Sequence, residues 1–277
     1  MSKLLRSNFS RMFRDKVFWL CMIFMFGVGS VMVVNQLRRT DGVFISYGEL
    51  IMAYPLFLGG LCAVFCSKFI GCEYSDGTIR NKIVVGSTRM SIYFANMITQ
   101  FIALILFSLS YVFSVTLLGI PLLGLDSEFA YLDVLPLYIV AILFLMISFA
   151  SIHTMFSMNI SNKSTVAILS LLLFFALLIS AFAIYSMLSA PEYYPGYVVT
   201  NYDTGEMQQE MIKNQNYVEG AKRTRYEFYF DFLPTGQAFQ LAWLAAERLT
   251  HLPLYSIILT VVTTGIGWTI FRKKDLK

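Results

Sequence analysis

Charge is scarce in this chain. Asp, Glu, Lys and Arg together make up 14% of its 277 residues, where a soluble domain carries about 25%. Histidine is scarcer still. His153 and His251 are the only two, they lie on different segments, and neither shares a metal-ligand spacing with cysteine. His153 is expected to be a packed helix residue. The four cysteines, Cys21, Cys62, Cys66 and Cys72, all fall in the first third of the chain. They leave the long segment 189–252 with none, so no disulfide framework is expected there. No GxxxxGK[ST] loop, GxSxG elbow or HExxH pair occurs. These absences speak against nucleotide binding in the P-loop manner and against serine-hydrolase or zinc-protease chemistry. No catalytic and no metal-ligating residue is expected, and no cofactor in this chain.

What is abundant is apolar. Hydrophobic residues reach 57% and aromatics 16%, and mean hydropathy is +0.65. A water-soluble core of this size cannot bury that much, because even a ~300-residue domain leaves about a quarter of its unfolded-chain surface exposed. Six long stretches are free of charge: 17–37, 50–67, 90–125, 134–162, 164–191 and 249–271. Each approaches or exceeds the ~20 residues that cross a bilayer as helix. Runs such as 168–184 are continuously apolar rather than alternating, so the spans are helices and not barrel strands. No Asp, Glu, Lys or Arg sits in the middle of any span. Ion-coupled transporters and voltage sensors place such residues at that depth, so a self-energised carrier is not expected.

Charge is divided unevenly about these spans. Six crossings put 1–16, 68–89, 163 and 272–277 on one side, with 14 Lys and Arg against 4 acidic residues; the other side has 7 against 13. The basic side is expected to be cytoplasmic, with both termini there, in a multi-pass protein of the plasma membrane. A modest net charge of +4 therefore hides a strong polarity and is no argument for nucleic acid. The apolar run Val17–Val34 is too long for a signal-peptide core and is read as a retained span. Before it, Leu4, Leu5, Phe9, Met12 and Phe13 recur at helical spacing with Arg6, Arg11 and Arg14 between them. That pattern predicts a basic amphipathic helix lying on the inner leaflet; the other reading is an unstructured basic anchor. The fold class is thus an all-α integral membrane protein of six transmembrane helices. Its organisation is 1–188 for the amphipathic helix and spans one to five, 189–252 for an outer segment, and 253–277 for span six and a basic tail.

The segment 67–97 between spans two and three is the most informative. Gly77 and Gly86 permit tight turns, a short helix fits between them, and Ser87 or Thr88 suits the cap of the next helix. Its sequence contains Glu73-Tyr74, Gly77-Thr78, Arg80-Asn81 and, after Gly86-Ser87-Thr88, Arg89. Here the chain resembles the permease subunit of type-2 ATP-binding-cassette (ABC-2) transporters, and the stretches NYVEGAKRTRYEF and FLPTGQAFQLAWL further on resemble the outer segment of such permeases from Gram-positive bacteria. In that family EYxxGTxRN followed by a Gly/Pro-Ser-Thr/Ser-Arg step occupies this loop. Six spans, an amphipathic N-terminal helix and a longer outer segment before span six also match.

The resemblance implies one half of a transmembrane dimer, identical or homologous to its partner permease. Two copies of a separate ABC ATPase, binding ATP and Mg, would drive it. Glu73, Tyr74, Gly77, Thr78, Arg80, Asn81 and Arg89 would then form the element that couples to the ATPase. Asn162 and Lys163 in the short loop 159–164 would form a second contact. The plain alternative is a charged connection that satisfies helix ends.

The outer segment divides in two. In 189–231, Pro191, Pro195, Gly196 and Gly205 mark turns, and a hairpin over Tyr197–Tyr202 with Thr204-Gly205 is one reading. Its tyrosines suit a membrane–water interface. In 232–249, the 15 uncharged residues from 232 to 246 make about 22 Å of helix, too short to cross a ~30 Å core. A re-entrant or interfacial helix is expected there, with Phe239, Ala242, Trp243 and Ala246 on its apolar stripe. Gly27, Gly29, Gly59, Gly60, Gly265 and Gly267 permit close helix approach. Asn96 and Gln100, one turn apart in span three, either line a substrate path or hydrogen-bond neighbouring helices. Abundant Phe and Met suit an apolar or amphipathic substrate such as an antimicrobial peptide, a drug or a lipid-like molecule. Two classes of function remain: an ATP-driven exporter permease, and a non-transport sensor or assembly protein whose outer loop binds a partner. An ATPase that copurifies with the chain separates them.

Overall fold

The computed structural model describes residues 1–38, 47–124, 133–200 and 207–275. Eleven helices and one strand pair follow in chain order among them: α1 (Ser2–Met12), α2 (Lys16–Arg38), α3 (Tyr47–Met52), α4 (Pro55–Ser75), α5 (Thr78–Val84), α6 (Arg89–Leu123), α7 (Leu135–Asn159), α8 (Lys163–Leu188), β1 (Tyr193–Thr200), β2 (Met207–Lys213), α9 (Gly220–Phe232), α10 (Pro234–Ala242) and α11 (His251–Lys273). Six helical units are long and apolar enough to cross a membrane: α2, α3 with α4, α6, α7, α8 and α11. The chain is a multi-pass, all-α membrane protein.

Packing pairs α2 with α6 and α11 with α7, while α4 runs between α7 and α8 and touches α6. Close approach follows small residues, as lipid offers helices no hydrophobic drive to associate. A Cβ at Gly29 would meet Ser114 and the Tyr111 carbonyl at 3.1 Å, and one at Gly59 would meet the Phe149 and Phe174 rings at 2.8 Å. Gly267 lies against Tyr93 and Met155, and Gly60 against Phe174. Gly27 and Gly265 differ from the expectation, since nothing lies within 4 Å of a Cβ at either. Hydroxyls stitch the pairs across: Ser30 with Ser114 at 2.9 Å and Ser151 with Thr263 at 2.8 Å. His153 is buried within α7, and its Nδ1 has no partner among the described residues.

The second span is broken rather than straight. The chain leaves helix at Ala53 and re-enters it at Pro55, which occupies the first turn of α4, where its missing N–H costs nothing. At the break the Leu50 carbonyl accepts from the Ala53 N–H at 3.4 Å and from the buried Tyr111 hydroxyl at 2.7 Å. The span also runs further than its charge-free stretch, through Lys68 and Glu73 to Ser75. Lys68 lies one turn from Cys72 and donates to its sulfur at 3.2 Å, and Glu73 finds counter-ions inside the protein.

The outer segment is built on α9 and α10. Asp15 at the entry to α2 and Asn162 at the entry to α8 show how polar side chains start helices here, each accepting backbone N–H bonds. The start of α10 works otherwise. Pro234 opens it, and Thr235 donates to the Leu177 carbonyl of α8 at 2.7 Å. At nine residues it spans about 13 Å. It is buried by packing against α8, α4, α7 and α9.

The expected stripe on α10 needs correction. Trp243 is half-exposed, while Gln237 and Gln240 face inward beside Ala238 and Leu241. Gln237 donates to the Asp231 carbonyl at 2.9 Å and accepts from Ser256 at 2.6 Å. Gln240 donates to the Asp231 carboxylate at 3.0 Å. Burial pushes the Asp231 carboxyl up from its ordinary value, against the pull of Gln240 and Arg248. β1 and β2 form an antiparallel pair, Tyr193 opposite Lys213 and Thr200 opposite Met207, with a register shift between Pro195 and Val198. The expected turn at Thr204-Gly205, and Tyr202, lie outside the described residues.

Candidate functional site

One end of the bundle gathers α1, α5, the last turn of α4, the first turns of α6, the α7–α8 connection and the C-terminus of α11. This is the basic end, and the family-like residues meet there. At its centre is Glu73, 0% exposed. Arg11 Nη1 of α1 pairs with its Oε1 at 2.7 Å, and Lys82 of α5 pairs with the same oxygen. Asn96 of α6 donates to Oε2 at 3.0 Å. The network closes through Asn8, which donates to the Asn96 side-chain oxygen at 2.8 Å and accepts from Lys82 at 3.2 Å. One carboxylate thereby ties α1, α4, α5 and α6 together.

The balance of charge in this joint is uneven, with two cations for one anion. Arg11 lies over the Phe69 ring at 3.7 Å, and its Nε and Nη2 have no hydrogen-bond partner among the described residues. Aromatic contact offsets part of that cost. Burial draws the Lys82 ammonium below its ordinary value, and the Glu73 carboxylate pulls it back up. A buried ion pair of this kind adds little stability over an apolar substitute, but removal of one partner is costly. Its effect is to fix geometry.

Tyr74 and Arg89 also face inward. The Tyr74 hydroxyl donates to the Met158 carbonyl at the end of α7. Lys274 lies 4.1 Å over the Tyr74 ring and donates to the same carbonyl at 3.3 Å. Burial lowers the Lys274 ammonium to about 8. Arg89 donates to the carbonyls of Phe271, Arg272 and Lys274 at 2.9, 3.1 and 2.6 Å, satisfying the open C-terminus of α11. Asn162 caps α8, and the stem of Lys163 packs where a Cβ on Gly71 would lie, 2.9 Å away.

The outward face is different. Gly77 and Gly86 take φ of 65° and 95°, the left-handed region that glycine adopts freely. Between them lies α5, and Thr88 caps α6 by accepting from the Ser91 N–H. Ile79 is buried, whereas Arg80 and Asn81 are exposed and Thr78 half-buried. At the end of α5, Val84 and Val85 are 79% and 86% exposed. The two valines form a small exposed apolar tip on the braced helix.

Of the residues singled out in the sequence, Glu73, Tyr74 and Arg89 face inward, Arg80 and Asn81 face outward, and Gly77 supplies the turn between the two. Asn96 belongs to the Glu73 network, and Gln100 is buried with neither amide atom partnered among the described residues. Asn8, Lys82 and Lys274 were not singled out, and Arg11 stood only as a basic residue of the amphipathic helix. Comparison with known proteins brings no match, neither to a protein-family model nor among curated proteins.

Proposed function

We propose that this chain is the permease subunit of an ABC-2 type exporter in the plasma membrane, with its basic end cytoplasmic. Two copies of a separate ATPase, binding ATP and Mg, drive it, and a second permease, identical or homologous, completes the path. The cargo is amphipathic or apolar: a peptide, a drug or a lipid-like molecule. The observation that carries this reading is the braced α5. Its inner face is locked to α1, α4 and α6 through Glu73, while its outer face presents Arg80, Asn81, Val84 and Val85. A push on that face reaches four helices together, because packed elements shift as units rather than deform.

The test is affinity purification of the full chain from native membranes. A polypeptide with a nucleotide-binding loop is expected to copurify. Val84→Asp with Val85→Asp is expected to lower its recovery at least about tenfold, since burying a charge in an apolar contact is strongly unfavourable. Recovery of no such polypeptide, with capture of a partner through the outer segment, favours the sensor class instead.

The sidedness has its own check. Cysteines placed at Asp76 and at Lys222, both exposed, in a chain whose native cysteines are replaced by alanine, are expected to react from opposite sides of the membrane. An impermeant reagent that labels both from outside the cell overturns the six-span orientation.

A further inference from the structure

Along the basic half of the bundle, α6 and α11 diverge and leave a groove of about 390 Å³. Met90, Phe94 and Met97 form one wall, and Val261, Gly265 and Trp268 form the other. Gly265 makes the space, because no atom lies within 4 Å of a Cβ built there. The neighbouring Val261, Val262 and Ile266 are exposed, so the groove opens toward lipid. From Thr260 to Trp268 it runs about 12 Å along α11, close to the ~15 Å that one leaflet contributes to a ~30 Å core.

The mouth of the groove is cationic. Arg272, one turn beyond Trp268, is exposed and stacks 5.5 Å over the indole. Lys273 beside it is also exposed. The only acidic residue from 249 to 277 is Asp275, against four basic ones. The indole Nε1 is buried and donates to nothing among the described residues. Tryptophan and arginine together mark headgroup depth, and the apolar groove lies on the bilayer side of them.

We propose that this groove binds an anionic phospholipid of the leaflet at the basic end. An acyl chain lies beside Gly265 and the phosphate sits at Arg272. The site follows from membrane insertion and from charge complementarity at its mouth, and it does not depend on the ATPase reading.

The experiment uses the full chain in nanodiscs of phosphatidylglycerol and phosphatidylcholine in equal parts, extracted into mild detergent, with retained lipid counted by native mass spectrometry. The wild type is expected to retain phosphatidylglycerol over phosphatidylcholine by about fivefold, the factor one basic side chain adds at an anionic surface. Arg272→Gln, at an exposed position, is expected to bring the two lipids level while retention continues. Gly265→Leu fills open space, so folding is preserved, and retention of both lipids is expected to fall. Equal retention of the two lipids by the wild type, or full retention by Gly265→Leu, overturns the site. So does an interchain disulfide formed by Gly265→Cys in membranes, which would place a second copy there.

Discussion

Glu73→Ala is expected to undock α1 and loosen α5 without preventing insertion. The substitution leaves Arg11 and Lys82 facing each other across a vacated site, and the Asn96 amide loses its carboxylate acceptor. Losing one member of a buried pair costs roughly 3–5 kcal/mol. The value here falls toward the lower end, because Arg11 keeps 33% of its side chain exposed and Lys82 keeps 12%. Limited trypsin digestion reads it out: cleavage after Arg11 and Arg14 is expected to quicken well beyond that of the wild type. Glu73→Gln keeps the size and one acceptor oxygen, enough for Lys82 or for Asn96, but not the charge, and is expected to fall between the two. On the permease reading both variants also lose ATP-driven transport in that order. Wild-type digestion of Glu73→Ala would show that α1 is held by its apolar face alone.

Gly236→Ala is expected to be the most damaging single methyl in the outer segment. A Cβ at that position would stand 2.1 Å from the Phe230 carbonyl oxygen. That neighbour is backbone, so no side chain can swing aside. Phe230 also belongs to the turn that places Asp231 against Gln237 and Gln240. Overpacking typically costs 1–3 kcal/mol and occasionally more; displaced backbone puts this case at about 3 kcal/mol or above. Proteolysis between α9 and α10 in sealed membranes is the readout, with Gly265→Ala as the control in open space. A resistant Gly236→Ala segment would mean that α9 shifts as a body without loss.

The spans were legible because charge is too costly at mid-membrane to be scattered, so charge-free stretches mark helices within a few residues at most ends. They failed at α4, and for a physical reason. A stretch ends at the first charge, but Lys68 finds a partner within its own helix and Glu73 is neutralised by Arg11, some sixty positions away in sequence. No local pattern carries that. Helix α9 was hidden likewise: its Arg223 and Glu227 pair with each other at 3.1 Å, and Glu227 also holds Arg248 near α11. At the candidate site the sequence located the segment but not its facing. Glu73, Arg80 and Arg89 look equivalent as surface charges. Only tertiary packing separates the two that bind inward from the one that points out. The apolar tip at Val84 and Val85 carried no sequence signal, because exposure is a property of the fold and not of a dipeptide.

The most direct measurement places a photoactivatable cross-linker at Val85 and, in a second chain, at Val134 near the opposite end of the bundle, where 41% of the side chain is exposed. Irradiation in native membranes is predicted to join the Val85 chain, and not the Val134 chain, to a polypeptide that binds ATP, with the yield lowered by Glu73→Ala. An ATP-binding adduct from Val134 in place of Val85, or none from either, would contradict the proposal that the braced α5 is where this membrane protein receives its energy.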